Sequence, residues 1–506
     1  MIYRSYAVPV KVKGFGTFPT SLAPGPVMLS PQVTPPIFRP LIGVLTPRCA
    51  FATFLLAQKA RLFFLFPCRH AISIRHGKQI ALTTSMRALV LIDDQGHPRS
   101  TGVIRSLGRA GIDVIAIAQD PSAIGFYSRF AKKTYVVSPD SEALVKGLER
   151  IGRDGGGVLI PTGDDYLIST AKNFARLSQC FTMTMPPWER LEKLMDKPQS
   201  YDVAHAAGIP TPGFFVPHDI KEMKRYTAHL DFRNHDYILK IQQWGWGAAE
   251  LGAGRRTRVA GRTATAVQER YLEIFKRTGI HPMIEEVVPG ETDKCIGVSM
   301  VVNPQHTPVV CYCVKRLKLY PYSIEGEFAH PYSSGGNIYC ESVHDHEAIE
   351  AATKFVRQAR FYGMVTVEFR RDAIDGRLKF IKADPRPVRG ISLSTALGLD
   401  LPTALYHVFT GKEVHLSKSY PERVAWLWVL QYLEVLWGNR FHAPVRKELL
   451  ALLKNLRRIK AFGVLSVQDP LPFLIQLKRK GLPSRVASKL IRMLTFRSKD
   501  PAQKSL

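Results

Sequence analysis

The first 85 residues contain no aspartate and no glutamate, although they hold ten lysines or arginines and ten prolines. Proline-rich sequence with no apolar periodicity and no acid to pair with its bases cannot offset the entropy of ordering, so no packed core is expected there. The segment also lacks an apolar run long enough to span a membrane, because Lys59 and Arg61 interrupt its burst "FATFLLAQKARLFFLFP". It does not fit a secretory signal, which would lie at the extreme N-terminus with a tidy cleavage site; an organelle transit peptide, which also avoids acids, stays open. The simpler expectation is an unstructured leader, or upstream sequence read from too early a start, with the folded unit opening at Met86 in "MRALVLIDDQG".

The seven cysteines are odd in number and scattered, which excludes a disulfide framework. Cys311 and Cys313 form one close pair, and without a second cluster they read as reduced thiols on one face of a strand. There is no G-x-G-x-x-G, so dinucleotide binding has no support. Acids are scarce again near the C-terminus, where residues 416–506 carry 18 basic and 5 acidic side chains. The two ends thus contribute +10 and +13 to the formal charge of +28, leaving about +5 for residues 86–415. Basicity belongs to the ends, and nucleic-acid binding does not follow from the overall charge.

From Met86 the pattern becomes regular. "RALVLIDD" is a strand, "GVIRSLGRAG" has helical spacing, and "DVIAIAQD" is a second strand, which together make a βαβ unit and imply a parallel sheet. The connecting loop sets Arg99, Ser100 and Thr101 at a helix N-terminus, either as an anion site or as an ordinary cap. "GGGVLIPTGDDYLIST" adds a strand and a loop with Asp164 and Asp165. A helix follows in "LEKLMDKPQSYDVAHAAG", stopped by Gly208 and Pro210. Strands then dominate through "DYILKI", "HPMIEEVV", "KCIGVSMVV" and "PVVCYCVKRL". The helix "EAIEAATKFVRQARFYG" precedes a final pair, "MVTVEF" and "FIKAD". Alternation places Lys382 and Asp384 on one face of the last strand.

The order of these motifs over residues 86–415 resembles the ATP-grasp superfamily, in particular its carboxylate–amine ligase-like members. The resemblance implies a Rossmann-like domain over 86–188 and a two-lobed ATP-grasp domain over 189–415. With the basic, mostly helical extension over 416–506, the expected class is α/β plus α+β. "LMDKPQSYDVAHAAGIPTP" is similar to the helix whose lysine reaches the nucleotide, which gives that role to Lys197. "YILKIQQWGWGAAELGAG" resembles the strand lysine and glycine-rich flap, so Lys240 would contact phosphate and Gly245 and Gly247 would let the backbone approach it. "MIEEVVPGE" resembles the hinge, with Glu285 or Glu286 near the adenine amino group, Val288 in the same strand, and Glu291 near the ribose. "VTVEF" and "FIKADPR" resemble the metal-binding strands and their terminal Asn-Pro-Arg signature.

By that resemblance ATP transfers its γ-phosphoryl group to a small-molecule carboxylate, and an amine displaces phosphate from the acyl phosphate. The protein's task is positioning and charge neutralisation. Glu368 and Asp384 would hold Mg²⁺, or Mn²⁺ in its place. Lys382, Arg386 and Arg389 would serve the reacting groups, a guanidinium being suited to phosphate or carboxylate. The acceptor pocket would come from loops around 95–101 and 162–166.

Two departures stand out. Asp384 replaces the family's asparagine and still offers oxygen. Lys382 replaces a glutamate that bridges two metals, which removes a ligand and adds a positive charge. The Asp375-Gly376 turn poses a second difficulty. A regular two-residue hairpin there would set Glu368 opposite Ala383 and turn it away from Asp384, so joint ligation requires an odd loop or a bulge.

Three functions remain open: an ATP-dependent ligase in the cytoplasm, an ATP-binding relative with weakened or no catalysis, and an interaction protein touching a membrane peripherally through residues 470–500. The apolar segment "VAWLWVLQYLEVLW" reads as a buried or interfacial helix of fourteen residues. Since the folded unit is expected to open at Met86, a chain starting there should melt at the same temperature as the full chain; a large fall in melting temperature would place part of the core upstream.

Overall fold

The structure is a computed structural model. It describes residues 86–480 apart from 94–95, 139, 241–255, 259–261, 322–334, 415–418 and 439–444, together with 504–505. The leader expected over 1–85, the flap glycines Gly245 and Gly247, and the basic segment 481–503 lie outside the described residues.

The first sheet is built from β1 (Ala88–Leu91), β2 (Val114–Ala118), β3 (Ala131–Val136), β4 (Val158–Pro161) and β5 (Thr182–Met183). Its order is β3-β2-β1-β4-β5, with Lys504–Ser505 beside β3, and every pairing is parallel. β1 and β2 are buried along their whole length, as continuous apolar strands covered on both faces should be. The helix Pro98–Arg109 follows β1 and starts with proline, whose fixed φ and missing N–H suit a first turn.

A second sheet contains β6 (Phe214–Phe215), β7 (Tyr237–Lys240), β8 (Arg256–Arg258) and β9 (Met283–Glu286), antiparallel in the order β6-β9-β7-β8. It has a small core of its own, in which Tyr237, Leu239 and Ile284 meet Val267, Tyr271 and Ile274 of the helix Ala264–Thr278.

The third sheet comprises β10 (Cys295–Val302), β11 (Pro308–Pro321), β12 (Gly335–Val343), β13 (Gly363–Arg371), β14 (Leu378–Asp384), β15 (Ala425–Leu427) and β16 (Ile459–Phe462). Its order is β14-β13-β10-β11-β12-β15-β16, antiparallel except for the last pair. One apolar core joins this sheet to the first: Leu89, Leu159 and Met183 are continuous with Leu191, Leu194 and Tyr201, and those with Val298, Phe355 and Phe380. A fully buried side chain of this kind contributes about 1.5–3 kcal/mol, so the helices Trp188–Met195 and Lys197–Ala206 act as the cement between the two sheets.

Beyond residue 416 the described residues hold the helices Val429–Gly438, Val445–Asn455 and Leu471–Arg479, but one expected helix is different. "VAWLWVLQYLEVLW" is not one helix, because Ala425–Leu427 pairs with Tyr339–Glu341 of β12 and the helix begins only at Val429. The β-prone Trp426 finds a buried strand position there, and its indole N–H donates to Ser392 Oγ at 3.0 Å. The helix Leu471–Arg479 buries Pro472, Phe473 and Leu477. Its Arg479 reaches Asp120 at 2.8 Å, and its Gln476 donates to the carbonyl of Gly96 at 3.0 Å. Of the residues expected to touch a membrane, 471–479 therefore lie against the first sheet's loops. Among the described residues no helix is long and apolar enough to cross a membrane.

The anchor of this segment is a buried ion pair. Arg105 Nε donates to Asp469 Oδ2 at 2.8 Å, and the same carboxylate accepts from Ser128 Oγ at 2.8 Å and from the Arg129 N–H at 2.9 Å. Both partners are almost fully enclosed. Asp469→Ala would strand the Arg105 charge in the interior, and the expected loss is about 3–5 kcal/mol in denaturant unfolding. A loss under about 1 kcal/mol would mean that water reaches Arg105 and that the pair holds nothing together.

Candidate active site

The hairpin β13–β14 decides which side chains face the site. Near its turn the pairs are Phe369–Phe380, Arg370–Lys379 and Arg371–Leu378. Beyond a bulge they become Glu368–Lys382, Val367–Ala383 and Thr366–Asp384. The extra residue is Ile381. One additional residue moves everything past it to the opposite face, so Phe380 lies in the core while Lys382 and Asp384 join Glu368 on the other side. The two-residue hairpin did not form; the ladder stops at Arg371–Leu378, and the intervening residues close through Asp372 N–H to Arg377 O at 2.9 Å and Gly376 N–H to Asp372 O at 3.0 Å. The bulge that joint placement of Glu368 and Asp384 requires is present.

Lys382 stands between the two carboxylates. Its ammonium is 2.6 Å from Asp384 Oδ2 and 3.6 Å from Glu368 Oε2. Arg316 on β11 pairs with Glu368 Oε1. β10 lies between those strands, and Gly297 is its residue opposite both Val314 and Glu368, so no side chain obstructs the reach of Arg316. Arg386 is 3.6 Å from Asp384 Oδ1 and also holds Asp164, with Nη2 to Oδ2 at 3.1 Å. Burial alone would raise the Asp384 carboxyl, but the charges of Lys382 and Arg386 outweigh it and hold the group well below the usual carboxylate range. Burial would likewise lower the Arg386 guanidinium; Asp164 and Asp384 raise it instead.

As a donor set for a divalent ion, Glu368 and Asp384 do not fit. Each of their four carboxylate oxygens already meets an ammonium or a guanidinium. Magnesium demands hard oxygen ligands in near-ideal geometry, and here it would enter beside a fixed ammonium. Among the described residues no group of three or more His, Cys, Asp or Glu is gathered for a metal.

On the other side of the bulge lie the residues matched to nucleotide contacts. Lys197 opens the helix Lys197–Ala206, capped by Asp196, and its ammonium donates to the carbonyl of Ile381, the bulge residue itself. It also lies 4.6 Å from the centre of the Tyr201 ring, a cation–π contact. Lys240, at the end of β7, is buried against Glu285 of β9. Burial pushes the Glu285 carboxyl up, while Lys240 and then Lys197 pull it down, leaving it below the ordinary range. Lys197, Lys240 and Glu285 thus form one group. Glu286 is turned elsewhere and accepts from the Gly213 N–H at 3.0 Å. Val288, expected in the same strand, lies beyond the end of β9 and is buried, and Glu291 is exposed.

Arg389 extends the row of cations toward the first sheet. It donates to His97 Nε2 at 3.0 Å and lies over the Trp428 ring at 5.7 Å. An arginine can only donate, so Nε2 accepts from Arg389, while Nδ1 faces both Asp93 Oδ2 at 2.9 Å and Arg99 Nη2 at 3.2 Å. Burial drives the His97 pKa down to about 4, which keeps the ring neutral near pH 7. Arg99 completes the group, 3.3 Å from Asp93 and 3.1 Å from the carbonyl of Thr162, with burial pulling it down to about 10. Ser100 and Thr162 share a hydrogen bond at 2.7 Å, and both accept from the Asp93 N–H at 3.1 Å. His97 and Asp164 lie in the two loops expected to form the acceptor pocket, whereas Arg316 and Trp428 were not singled out from the sequence as site residues. Arg316 had a readable signal: it alternates with Tyr312 and Val314, away from the face of Cys311 and Cys313.

No family model matches the chain. It is 27% identical over 165 residues to the small subunit of 2-oxoglutarate carboxylase from Hydrogenobacter thermophilus, a match spanning 31% of this chain and only about a third (34%) of that relative's length. Among solved structures, the biotin carboxylase of Campylobacter jejuni, a β-γ-ATP complex, superposes with a TM-score of 0.50 at 15% identity, covering 67% of this chain and 74% of that one. The biotin carboxylase domain of the Hydrogenobacter thermophilus 2-oxoglutarate carboxylase, solved with MgADP, ADP and bicarbonate, gives 0.49 at 17% identity, covering 67% and 73%. At such identities the likeness concerns the fold, and the chain has the ATP-grasp fold that its order of motifs resembles.

Proposed function

We propose that this chain uses ATP to activate a small-molecule carboxylate as an acyl phosphate, which an amine then attacks. The observation that carries this reading is the row of cations along one stretch of chain. Lys197 is tied to the carbonyl of Ile381, and Lys382, Arg386 and Arg389 follow within eight residues of it. Phosphates placed beside Lys197 and Lys382 would lead directly to a carboxylate beside Arg386 and Arg389. The γ-phosphoryl group passes to the carboxylate oxygen and ADP departs; the amine nitrogen then bonds to the acyl carbon as phosphate leaves. Both steps build negative charge on oxygens, which fixed guanidinium and ammonium groups offset without reorganising. Lys240 would contact phosphate together with the backbone of Gly245 and Gly247, and Glu285 would lie toward the adenine. The ligand of the Campylobacter jejuni biotin carboxylase, a β-γ-ATP, supports an adenine nucleotide. Mg²⁺, in this reading, travels on the nucleotide's phosphates.

A second reading is a nucleotide-binding relative without turnover, favoured by the neutralised carboxylates Glu368 and Asp384. Phosphate release from ATP in the presence of a panel of carboxylates and amines separates the two. The ligase reading expects ADP and phosphate in equal amounts only when a carboxylate is present; nucleotide binding with no release in any mixture would leave the second reading standing. Lys240→Ala should weaken ATP binding by roughly 10–100-fold, the worth of a charge-assisted hydrogen bond of about 1.5–3 kcal/mol. An unchanged affinity in calorimetric titration would remove Lys240 from the nucleotide site.

A further inference from the structure

The misfit between the carboxylate pair and a divalent ion has a positive counterpart. We propose that Lys382, with Arg316, is a built-in counter-charge that takes the place of a protein-bound divalent cation, so that this site binds nucleoside di- and triphosphates without metal. The inference rests on the reading of this face as a nucleotide site and adds a statement about what neutralises the phosphates there.

Three observations converge on it. The first is occupancy: Glu368 meets Arg316 and Lys382, and Asp384 meets Lys382 and Arg386, leaving no carboxylate oxygen without a cation. The second is order of access. The Lys382 side chain is 27% exposed, against 10% and 11% for the two carboxylates, so an incoming phosphate reaches the ammonium before the acids. The third is charge. Glu368, Asp384 and Asp164 are paired with Lys382, Arg316 and Arg386, and the adjoining Arg99–Asp93 pair and Arg389 bring the cluster to five cations against four carboxylates. A dication would enter a net-positive cluster and be repelled by an ammonium fixed beside its ligands, whereas a polyphosphate is attracted to it. The bulge at Ile381 is what makes the arrangement permanent, since it fixes Lys382 opposite Glu368 and on the same face as Asp384.

The test measures binding, not turnover. The full chain is titrated by calorimetry with ADP and with a non-hydrolysable ATP analogue, once in EDTA and once in excess Mg²⁺. The expected result is a dissociation constant in EDTA within about threefold of that in Mg²⁺. Lys382→Glu should turn the site into a metal-requiring one, with affinity in EDTA falling about tenfold or more and recovering on addition of Mg²⁺. Lys382→Arg keeps the charge and should keep metal-free binding, which guards against a Glu variant that merely unfolds. Wild-type binding that strengthens more than about tenfold when Mg²⁺ is added would overturn the inference and leave the nucleotide site intact. Absence of binding in both conditions would overturn the nucleotide reading as well.

Discussion

One extra residue in one strand governs the site. Ile381 is inserted between the pairs Phe369–Phe380 and Glu368–Lys382, and the face of β14 changes at that point. Toward the turn, Leu378 and Phe380 fill the core; toward the C-terminal end, Lys382 and Asp384 leave it. Without the insertion the same sequence would have to set a lysine and an aspartate in the apolar core or turn a phenylalanine to the charged face, and neither is tolerable. The bulge also frees the Ile381 carbonyl from the regular ladder, and Lys197 takes it. A single irregularity therefore aims two charged side chains and anchors a third from a separate helix.

Much of this was legible beforehand, and the limit has a physical form. Motif order led to Lys197, Lys240, Glu285, Glu368, Lys382 and Asp384, and the structure gathers them into two neighbouring groups joined by β14. The face change was partly legible too. Phe380 and Ala383 are three apart and both apolar, a spacing that one strand face accommodates only with an added residue. Arg316 and the pairing of Asp164 with Arg386 were harder, because they depend on sheet order and on a contact across 222 positions of chain. Local periodicity carries no information about either. The misreading of "VAWLWVLQYLEVLW" had a similar cause: a continuous apolar run has no period, and only the edge of β12 shows that its first residues are a strand.

Asp164 gives the site its connection to the first sheet. It starts the helix Asp164–Lys172 directly after β4, and it holds Arg386, two residues beyond Asp384. The parallel sheet and the large antiparallel sheet are already joined by one apolar core, which sets their separation. The Asp164–Arg386 pair adds direction, since a guanidinium held by a carboxylate is fixed in plane as well as in place. His97 does the same for Arg389, with Asp93 behind its ring.

The strand Ala425–Leu427 has a consequence beyond the site. It covers Tyr339–Glu341 of β12, and Ile459–Phe462 in turn covers it. A proteolytic cut ahead of residue 421 that released this segment would uncover the backbone donors and acceptors of a long strand with apolar neighbours. An open edge of that kind is a template for a strand from another molecule. The C-terminal segment thus protects the sheet against self-association, and its tie to Arg105 through Asp469 links that protection to the integrity of the first sheet.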